Sequence, residues 1–285
     1  MLRQCIESIL MLDMCDDDKE IIVVDDGSAA SPEAFLRTLD KNILCISQEN
    51  SGLSAARNTG IMTAHGEYIQ FVDSDDALIT ETYNDIVEQV RTQHMDMLMF
   101  RFSYDTIARG IDRQCTPHDG PVYLAHNNLR AAAWCYVFRK EILGDLRFRK
   151  GIFHEDSLFT PQLMMRAHRL YVNKTKAYFY RQHSGTIMSR RDSGHIQKRL
   201  DDSVVVLKEL QALCDSHVGI EKAALQRCID QQVMAYIYFI VMLTHSYSEL
   251  RHRTSALRHS HLFPLPLKMY TLKYYLFAMA TRLIR

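Results

Sequence analysis

Three carboxylates stand within four positions of the stretch EYIQFVDSDDAL, residues 67–78. Asp73, Asp75 and Asp76 follow an apolar run that predicts a β-strand, and charges of one sign so close together repel one another unless a cation lies among them. Asp73 and Asp75 form a D-x-D element, in which alternate residues at a strand end can direct two carboxylates to one point. Oxygen ligands suit a hard cation such as Mg²⁺ or Mn²⁺, which commonly also binds substrate phosphates. The pattern therefore predicts a divalent-metal site for a diphosphate.

A second acidic pair follows another short apolar run. Asp25 and Asp26 come directly after EIIVV, residues 20–24, and before a glycine turn. In open α/β sheets ligands bind beyond the carboxyl ends of the strands, so both acidic groups are expected at one sheet edge. The alternative is that aspartate is simply favoured in turns and helix caps. No glycine-rich phosphate loop of the G-x-x-x-x-G-K-[ST] or G-x-G-x-x-G type is present, so the metal would have to bind the phosphates.

Strand and helix patterns alternate along the first hundred residues. Apolar runs at 20–24, 43–47, 67–72 and 96–102 predict strands, and 31–40, 52–66 and 80–93 predict the helices between them. Such alternation predicts an α/β fold with a mostly parallel sheet and helices on both faces. A further strand is expected at 176–181, and from His195 onward the pattern is helical, ending in a helix over 267–285.

Four segments, EIIVVDDGS, ENSGLSAARNTGI, GEYIQFVDSDD and GIFHEDSLF, occur in an order and spacing that resembles the family-2 inverting glycosyltransferases of GT-A fold. The resemblance spans residues 2–185 and implies transfer of a sugar from a nucleotide-diphosphate donor, often a UDP-sugar. It also implies a Mn²⁺ or Mg²⁺ ion and inversion at the anomeric carbon. The acceptor would be a hydroxyl of a glycan or a lipid-linked molecule, as in surface polysaccharide biosynthesis.

The resemblance also assigns roles to individual residues. Contacts with the donor nucleotide and its pyrophosphate are expected from Asp25, Asp26, Gly52, Asp73 and Arg181. Metal ligands are expected at Asp75, as the main ligand, at Asp73 and at His183, although a lone Arg or His in a polar loop is often only solvated.

The Glu155-Asp156 pair is expected to supply the catalytic base, with Asp156 as the base itself. A positioned carboxylate that takes the proton of a sugar hydroxyl accelerates transfer by about 10²–10⁴. The alternative role for Asp156 is a helix N-cap, which is compatible with catalysis. No activated Ser or Cys is expected. Trp134 is the only tryptophan and is expected either to stack on a sugar or to pack in the core.

One family feature is absent. Members open with a strand of the type SVIIPVYN before a segment like the MLRQCIESIL that begins this sequence. We therefore expect a sheet that lacks its first strand. The expected domains are a GT-A catalytic domain over 1–190, with a nucleotide-sugar half at 1–102 and an acceptor half at 103–190, and a C-terminal helical region over 191–285.

Charge is distributed unevenly although the formal net charge is zero. Residues 251–285 contain seven Lys or Arg and no acid, so the first 250 residues carry a net charge of −7. A basic amphipathic tail suits an anionic membrane surface; the alternative is a helix packed on the catalytic domain with a solvated basic face. Nucleic acid is not expected as a partner, because the basic groups are few and confined to one end. A homodimer is left open.

The cysteines and the N-terminus bear on location. Seven cysteines without a C-x-x-C pair indicate reduced thiols, and no signal peptide is recognisable. The expected location is the cytoplasm, with peripheral association at the inner face of the cell membrane.

Three alternatives to an active glycosyltransferase remain at this stage. The stretch FVDSDDAL also resembles the D-x-D element of haloacid-dehalogenase phosphatases, but there the D-x-D element comes first, whereas here VVDDGS precedes it. A nucleotidyltransferase would open with a glycine-rich loop, which this chain lacks. The third alternative is a non-catalytic or truncated remnant of the glycosyltransferase family.

Overall fold

A computed structural model describes residues 1–107, 110, 112, 115–183 and 192–284 of the chain. The helices in these ranges are α1 (Leu2–Leu10), α2 (Glu33–Leu39), α3 (Leu53–Thr63), α4 (Thr80–Gln93), α5 (Gly120–His126), α6 (Glu155–Met165), α7 (Ser193–Asp215), α8 (Gly219–Thr244), α9 (Tyr247–His259) and α10 (Leu272–Thr281). The strands are β1 (Ile22–Asp26), β2 (Leu44–Gln48), β3 (Tyr68–Gln70), β4 (Ala77–Leu78), β5 (Met97–Ser103), β6 (Pro117–His118), β7 (Tyr136–Arg139) and β8 (Leu170–Phe179).

The described strands form two sheets that share no strand. β1 and β2 pair in parallel, and the other six strands form a sheet of order β3-β7-β5-β8-β4, with β6 also paired to β8. The expected α/β class with a C-terminal helical region is confirmed. The direction of pairing differs from the expectation, because only β5 and β8 run parallel in the larger sheet. In the described part of the chain between β5 and β7 lie the two-residue strand β6 and the short helix α5, and β7 then lies between β3 and β5 in the opposite direction.

Two apolar clusters anchor helices to these sheets. Ile6 of α1 and Leu36 of α2 pack with Ile43 next to β2, and all three are at least 93% buried. The larger cluster joins α4 to the larger sheet through residues that include Ile86, Leu98 and Tyr178. Burial of such side chains contributes about 1.5–3 kcal/mol each, so these clusters hold the strand ends that carry the acidic residues.

Strand β8 begins six residues earlier than the sequence indicates. The middle of β8 contains Asn173 and Thr175, polar residues that interrupt the apolar pattern of a strand, yet both are buried. The amide of Asn173 donates to Gln89 Oε1 (3.0 Å), and the hydroxyl of Thr175 accepts from the backbone N–H of Asp112 (2.8 Å). Because these groups are hydrogen-bonded, their burial costs little.

The described residues divide into two compact units. The first comprises residues 1–120, 132–151 and 162–184, and the second comprises 121–131, 152–161 and 185–285. The second unit therefore includes two short segments that precede residue 190, and the division at that residue stays a prediction. No helix in the described part of the chain has both the length and the apolar character needed to cross a membrane.

Three helices in the C-terminal part of the chain, α7, α9 and α10, begin where a side chain caps them. Asp192, Ser246 and Thr271 accept hydrogen bonds from backbone N–H groups three residues later, at the starts of α7, α9 and α10. The final helix was expected over 267–285, but α10 begins only after Thr271. The hydroxyl of Thr271 caps the first turn, whereas the preceding segment contains prolines and extended backbone and provides no such cap.

Asn58 provides a test of how α3 is fixed in the first unit. Its buried amide accepts from the backbone N–H of Phe148 (2.8 Å) and donates to the carbonyl of the same residue (2.7 Å). Asn58→Ala removes the Asn58 partner of two buried backbone groups and should lower the free energy of unfolding by about 2–3 kcal/mol, measured by urea denaturation. Asn127→Ala, which removes an exposed amide, is the control and should change it by less than about 0.5 kcal/mol. Equal effects of the two substitutions would contradict the assignment.

Candidate functional site

The acidic stretch after β3 folds into a tight turn that the end of β8 holds in place. The backbone N–H of Asp76 donates to the carbonyl of Asp73 (3.0 Å). The hydroxyl of Tyr178 accepts from the backbone N–H of Asp73 (3.1 Å) and donates to the carboxylate of Asp76 (2.8 Å). One fully buried tyrosine therefore fixes both ends of the turn.

Asp76 is the structural carboxylate of this turn. It is 98% buried and also accepts a hydrogen bond from the backbone N–H of Arg181 (2.7 Å). Burial raises the pKa of Asp76 to about 6, and the hydrogen bonds from Arg181 and Tyr178 oppose this rise, while the neighbouring charges of Asp75 and Asp73 add to it. Asp76 thus has its partners inside the protein, whereas its two neighbours are more exposed.

Asp73 forms an ion pair with a buried arginine. Its carboxylate lies 3.1 Å from the guanidinium of Arg57, whose side chain is 7% exposed compared with 29% for Asp73. The guanidinium also lies over the rings of Phe148 (5.3 Å) and Phe71 (5.9 Å). Arg57 is therefore one of the positive charges that the three crowded carboxylates require.

Asp75 faces a histidine. Its carboxylate lies 2.8 Å from His183 Nε2, and the two side chains are 36% and 24% exposed. The guanidinium of Arg181 donates through Nε to the carbonyl of Asp75 (2.8 Å) and through Nη2 to Gln4 (2.7 Å). The structure thus brings together Asp75, Arg181 and His183, three of the residues that the sequence singles out.

Asp26 holds the loop that leads into α3. Its carboxylate accepts from the backbone N–H groups of Ser51 (2.9 Å) and Gly52 (2.7 Å) and from the amide of Gln48 (2.7 Å). Burial alone would raise the pKa of Asp26, but these three hydrogen bonds outweigh it and the pKa is lowered. Gly52 adopts φ +85°, a conformation that a side chain would strain. Asp25 is buried and accepts from the backbone N–H of Ser28 (3.0 Å).

Helix α3 contacts both acidic groups. Asp26 binds the backbone of Gly52 at its start, and Asp73 binds Arg57 five residues later. At 1.5 Å per residue, the two contacts are separated by about 8 Å along the helix. The carboxyl ends of β1 and β3 are therefore linked through one rigid element, although β1 and β3 belong to different sheets.

The side-chain oxygen and nitrogen atoms at the acidic turn decide whether a divalent ion fits there. Among the described residues no group of three or more His, Cys, Asp or Glu side chains is arranged to hold a metal ion. Asp75 and His183 nevertheless present a carboxylate and an imidazole nitrogen side by side and partly exposed. Mg²⁺ and Mn²⁺ are commonly held by one or two protein ligands, with waters and substrate phosphates completing the shell, so this pair fits such an ion. Asp73, held by Arg57, is less available for it.

Glu155 and Asp156 occupy the first turn of α6, in the second unit. Glu155 is 92% buried and Asp156 is half-buried. The segment before them is fixed to helices of the same unit. The backbone N–H of Phe153 donates to Asp202 of α7 (2.8 Å), and the ring of His154 stacks on Phe239 of α8 (6.0 Å, 11°).

His154 is held neutral beside this pair. Burial lowers the pKa of His154 to about 4, the charge of Arg199 lowers it further, and Asp202 opposes them. His154 also adopts φ +62°, which places it at the bend that leads into α6.

Trp134 stacks within the first unit on the strand that holds the acidic turn. Its ring lies 4.5 Å from that of Tyr178 (interplanar angle 20°) and 5.3 Å from that of Tyr180 (27°). The half-buried ring therefore packs against the protein, and the aromatic contacts fix the hydroxyl of Tyr178 at the turn.

Sequence reasoning did not assign a site role to Arg57 or Tyr178. Arg57 is the only charged residue of α3, and an isolated cation between apolar and small residues is a usable signal next to three uncompensated carboxylates. Nothing in the sequence pairs Tyr178 with Asp73, because that contact spans 105 residues. The assignments of Asp25, Asp26, Gly52, Asp73, Asp75, Glu155, Asp156, Arg181 and His183 stay predictions.

Known proteins with similar sequences are glycosyltransferases. The chain is 31% identical over 228 residues to EpsH of Bacillus subtilis (strain 168), which bears a glycosyltransferase name; the match covers 74% of the chain and 64% of EpsH. It is 26% identical over 188 residues to the poly(ribitol-phosphate) beta-N-acetylglucosaminyltransferase TarS of Staphylococcus aureus (strain Mu50 / ATCC 700699), covering 63% of the chain and 33% of TarS. The chain thus spans less than two thirds of these relatives.

Solved structures show the same fold. Residues 1–349 of S. aureus TarS, crystallised in complex with UDP-GlcNAc, superpose with a TM-score of 0.64 at 20% identity, covering 97% of the chain and 75% of that structure. The model of the family described as "Glycosyl transferase family 2" matches residues 1–161, more than half of the chain. These matches favour neither the phosphatase nor the nucleotidyltransferase alternative. The chain belongs to glycosyl transferase family 2.

Proposed function

We propose that the chain is a metal-dependent inverting glycosyltransferase that uses a nucleotide-diphosphate sugar, with UDP as the nucleotide. The sugar goes to a hydroxyl of a glycan or lipid-linked acceptor in the assembly of a surface polysaccharide. The observation that carries the proposal is the pairing of Asp75 with His183 beside a carboxylate already neutralised by Arg57. The UDP and UDP-GlcNAc complexes of TarS support the choice of nucleotide.

The first unit would bind the donor. Asp25 and Asp26 stand at the carboxyl end of β1, where a nucleotide is expected in an α/β sheet, and Asp26 also fixes the backbone of Gly52. Asp73 would contact the ribose, because its pairing with Arg57 leaves part of its carboxylate exposed. Arg181 would place its charge near the pyrophosphate.

Asp75 and His183 would hold Mn²⁺ or Mg²⁺ together with the diphosphate. When bound, the ion neutralises the negative charge that develops on the departing nucleoside diphosphate. The chain's own contribution is to keep the two ligands in position. Arg181 does so by binding the carbonyl of Asp75, and Tyr178 does so by bracing the turn.

Asp156 would act as the general base, with Glu155 beside it. The acceptor hydroxyl oxygen attacks the anomeric carbon and forms a C–O bond, while its proton passes to the carboxylate of Asp156. The bond between the anomeric carbon and the phosphate oxygen breaks, and the nucleoside diphosphate leaves with the electron pair. One displacement inverts the anomeric centre and needs no covalent enzyme intermediate.

The cytoplasmic face of a membrane would be the place of transfer. A lipid-linked acceptor is available there, and peripheral contact of residues 251–285 with the bilayer would bring the chain to it. A homodimer is compatible with this arrangement.

Replacement of Asp75 tests the metal site. Asp75→Asn keeps the size of the side chain but removes the charge that the ion requires, so the gain in UDP affinity on adding Mn²⁺ should disappear. Isothermal titration of UDP with and without Mn²⁺ measures it. Asp40→Asn, at the C-terminal end of α2, should keep the gain. A full Mn²⁺-dependent gain in Asp75→Asn would contradict the assignment.

Replacement of Asp156 tests the base. Asp156→Asn should lower kcat by about 10²–10⁴, the share that a general base contributes, and leave UDP affinity unchanged. Sugar transfer is measured with the donor identified by screening UDP-sugars. Asp215→Asn at the end of α7 should retain wild-type kcat. An equal kcat in Asp156→Asn and wild type would show that another group takes the proton.

Replacement of Tyr178 tests the support of the acidic turn. Tyr178→Phe keeps the ring stacked on Trp134 but leaves the N–H of Asp73 and a buried oxygen of Asp76 without this partner. We expect a loss of about 1–3 kcal/mol in the free energy of unfolding and weaker Mn²⁺-dependent UDP binding. Tyr83→Phe, whose hydroxyl bonds Gln70 in the same core, should lose stability but keep UDP binding. If both variants bound UDP like wild type, Tyr178 would have only a structural role.

A further inference from the structure

Helix α10 exposes its most apolar face to solvent. Tyr274, Ala278 and Thr281 are buried against the second unit. The exposed side chains include Leu272 (67%), Leu276 (56%) and Met279 (49%) of α10, together with Leu283 (79%), which lies two residues after the end of the helix. We call these four residues the apolar stripe. An ordinary surface helix is polar on its outer face, so the stripe needs a partner.

The stripe is narrow and continuous. At 100° per residue its three members within α10 fall within an arc of about 60°, roughly opposite the buried residues. Lys273 and Arg282 are exposed and lie on either side of this arc, and the guanidinium of Arg282 also donates to the carbonyls of Leu265 (3.0 Å) and Ala278 (2.8 Å). The outer face of α10 is therefore an apolar centre with a basic residue on each side.

The segment before α10 also exposes large apolar side chains. Leu267 and Met269 are 47% and 72% exposed in the segment that leads to Thr271. Six large apolar side chains are thus exposed within 17 residues, including the four of the stripe. Scattered exposed apolar residues are normal, but a contiguous set of this size marks an interaction surface.

The basic character of residues 251–285 is less exposed than the sequence indicates. Arg253 is 93% buried and pairs with Asp201 and Glu249. Lys268 pairs with the buried Asp230 of α8. These charges are neutralised by acidic residues of the second unit, so the surface formed by residues 251–285 is not uniformly basic. Most of the binding free energy at the outer face of α10 must therefore come from apolar contacts, with Lys273 and Arg282 on either side of them.

Charge decides between two occupants of the stripe. In a two-fold dimer through α10, the same surface of both copies forms the interface. Lys273 and Arg282 would then face the segment 251–285 of the second copy, which contains no acidic residue to neutralise them. An anionic bilayer supplies both an apolar layer and negative headgroups. The geometry points to a lipid surface: we propose that the apolar stripe of α10 lies in the interface of an anionic membrane, with Lys273 and Arg282 at the headgroups. This inference deepens the membrane contact of the proposed function and names the face that makes it.

Vesicle flotation tests the proposal on the full chain without donor or acceptor. Wild type should float with vesicles of phosphatidylcholine and phosphatidylglycerol and bind phosphatidylcholine vesicles more weakly. The double substitution Leu276→Glu with Met279→Glu places charge in the centre of the stripe and should reduce the bound fraction by about tenfold or more. Val218→Glu with Ile220→Glu, two exposed apolar residues at the start of α8, is the matched control and should float like wild type.

Further measurements separate the possible explanations of the flotation result. Circular dichroism and thermal unfolding should show that both double variants remain folded, because all four positions are exposed. Lys273→Gln should weaken binding to anionic vesicles alone. The proposal would be overturned if Leu276→Glu/Met279→Glu floated with vesicles like wild type. It would also be overturned if wild type bound no vesicles but formed a dimer that this double substitution converts to a monomer. UDP binding is measured separately, so failure here leaves the donor-site proposal intact, and the reverse also holds.

Discussion

Three aspartates within four residues can occupy one turn only if each has a different partner, and this constraint organises the first unit. Arg57 neutralises Asp73, His183 faces Asp75, and Tyr178 with the backbone of Arg181 satisfies Asp76. The partners come from α3, from the end of β8 and from the residues that follow β8, so the turn depends on contacts with all three. Two of the carboxylates are thereby satisfied from within the protein, and Asp75 is left with a histidine on a partly exposed surface.

The supporting elements explain why the exposed pair is well positioned. β8 lies inside the larger sheet, and its last residues Tyr178 and Phe179 pair with β4 immediately after the turn. Trp134 stacks on Tyr178, and Arg57 of α3 places its guanidinium, held over two aromatic rings, at the turn. A site whose ligands are fixed by buried side chains loses little conformational entropy when a ligand binds. The second unit holds Glu155 and Asp156 in a comparable way, at the start of a helix whose preceding residues are bound to α7 and α8.

Much of this could be predicted from the sequence, because apolar periodicity and acidic clusters are local signals. The runs that became β1, β2, β3 and β5 and the helices between them were recognisable, and the resemblance carried by VDDGS and FVDSDD led to the correct family and fold class. Strand direction was not recognisable, since it depends on connections that a short apolar run does not encode. Two partners of the acidic turn were missed for a similar reason: Tyr178 meets Asp73 across 105 residues, and the buried charge of Arg57 is visible only once α3 is placed against the turn.

The central claim is that Asp75 and His183 hold a divalent ion together with the donor diphosphate. Crystals of the chain grown with UDP and Mn²⁺, with diffraction data collected at the manganese absorption edge, test it most directly. We expect an anomalous peak within coordination distance of the Asp75 carboxylate, of His183 Nε2 and of the UDP phosphates. Bound UDP with no manganese peak at this pair, or a peak coordinated by other side chains, would contradict the account.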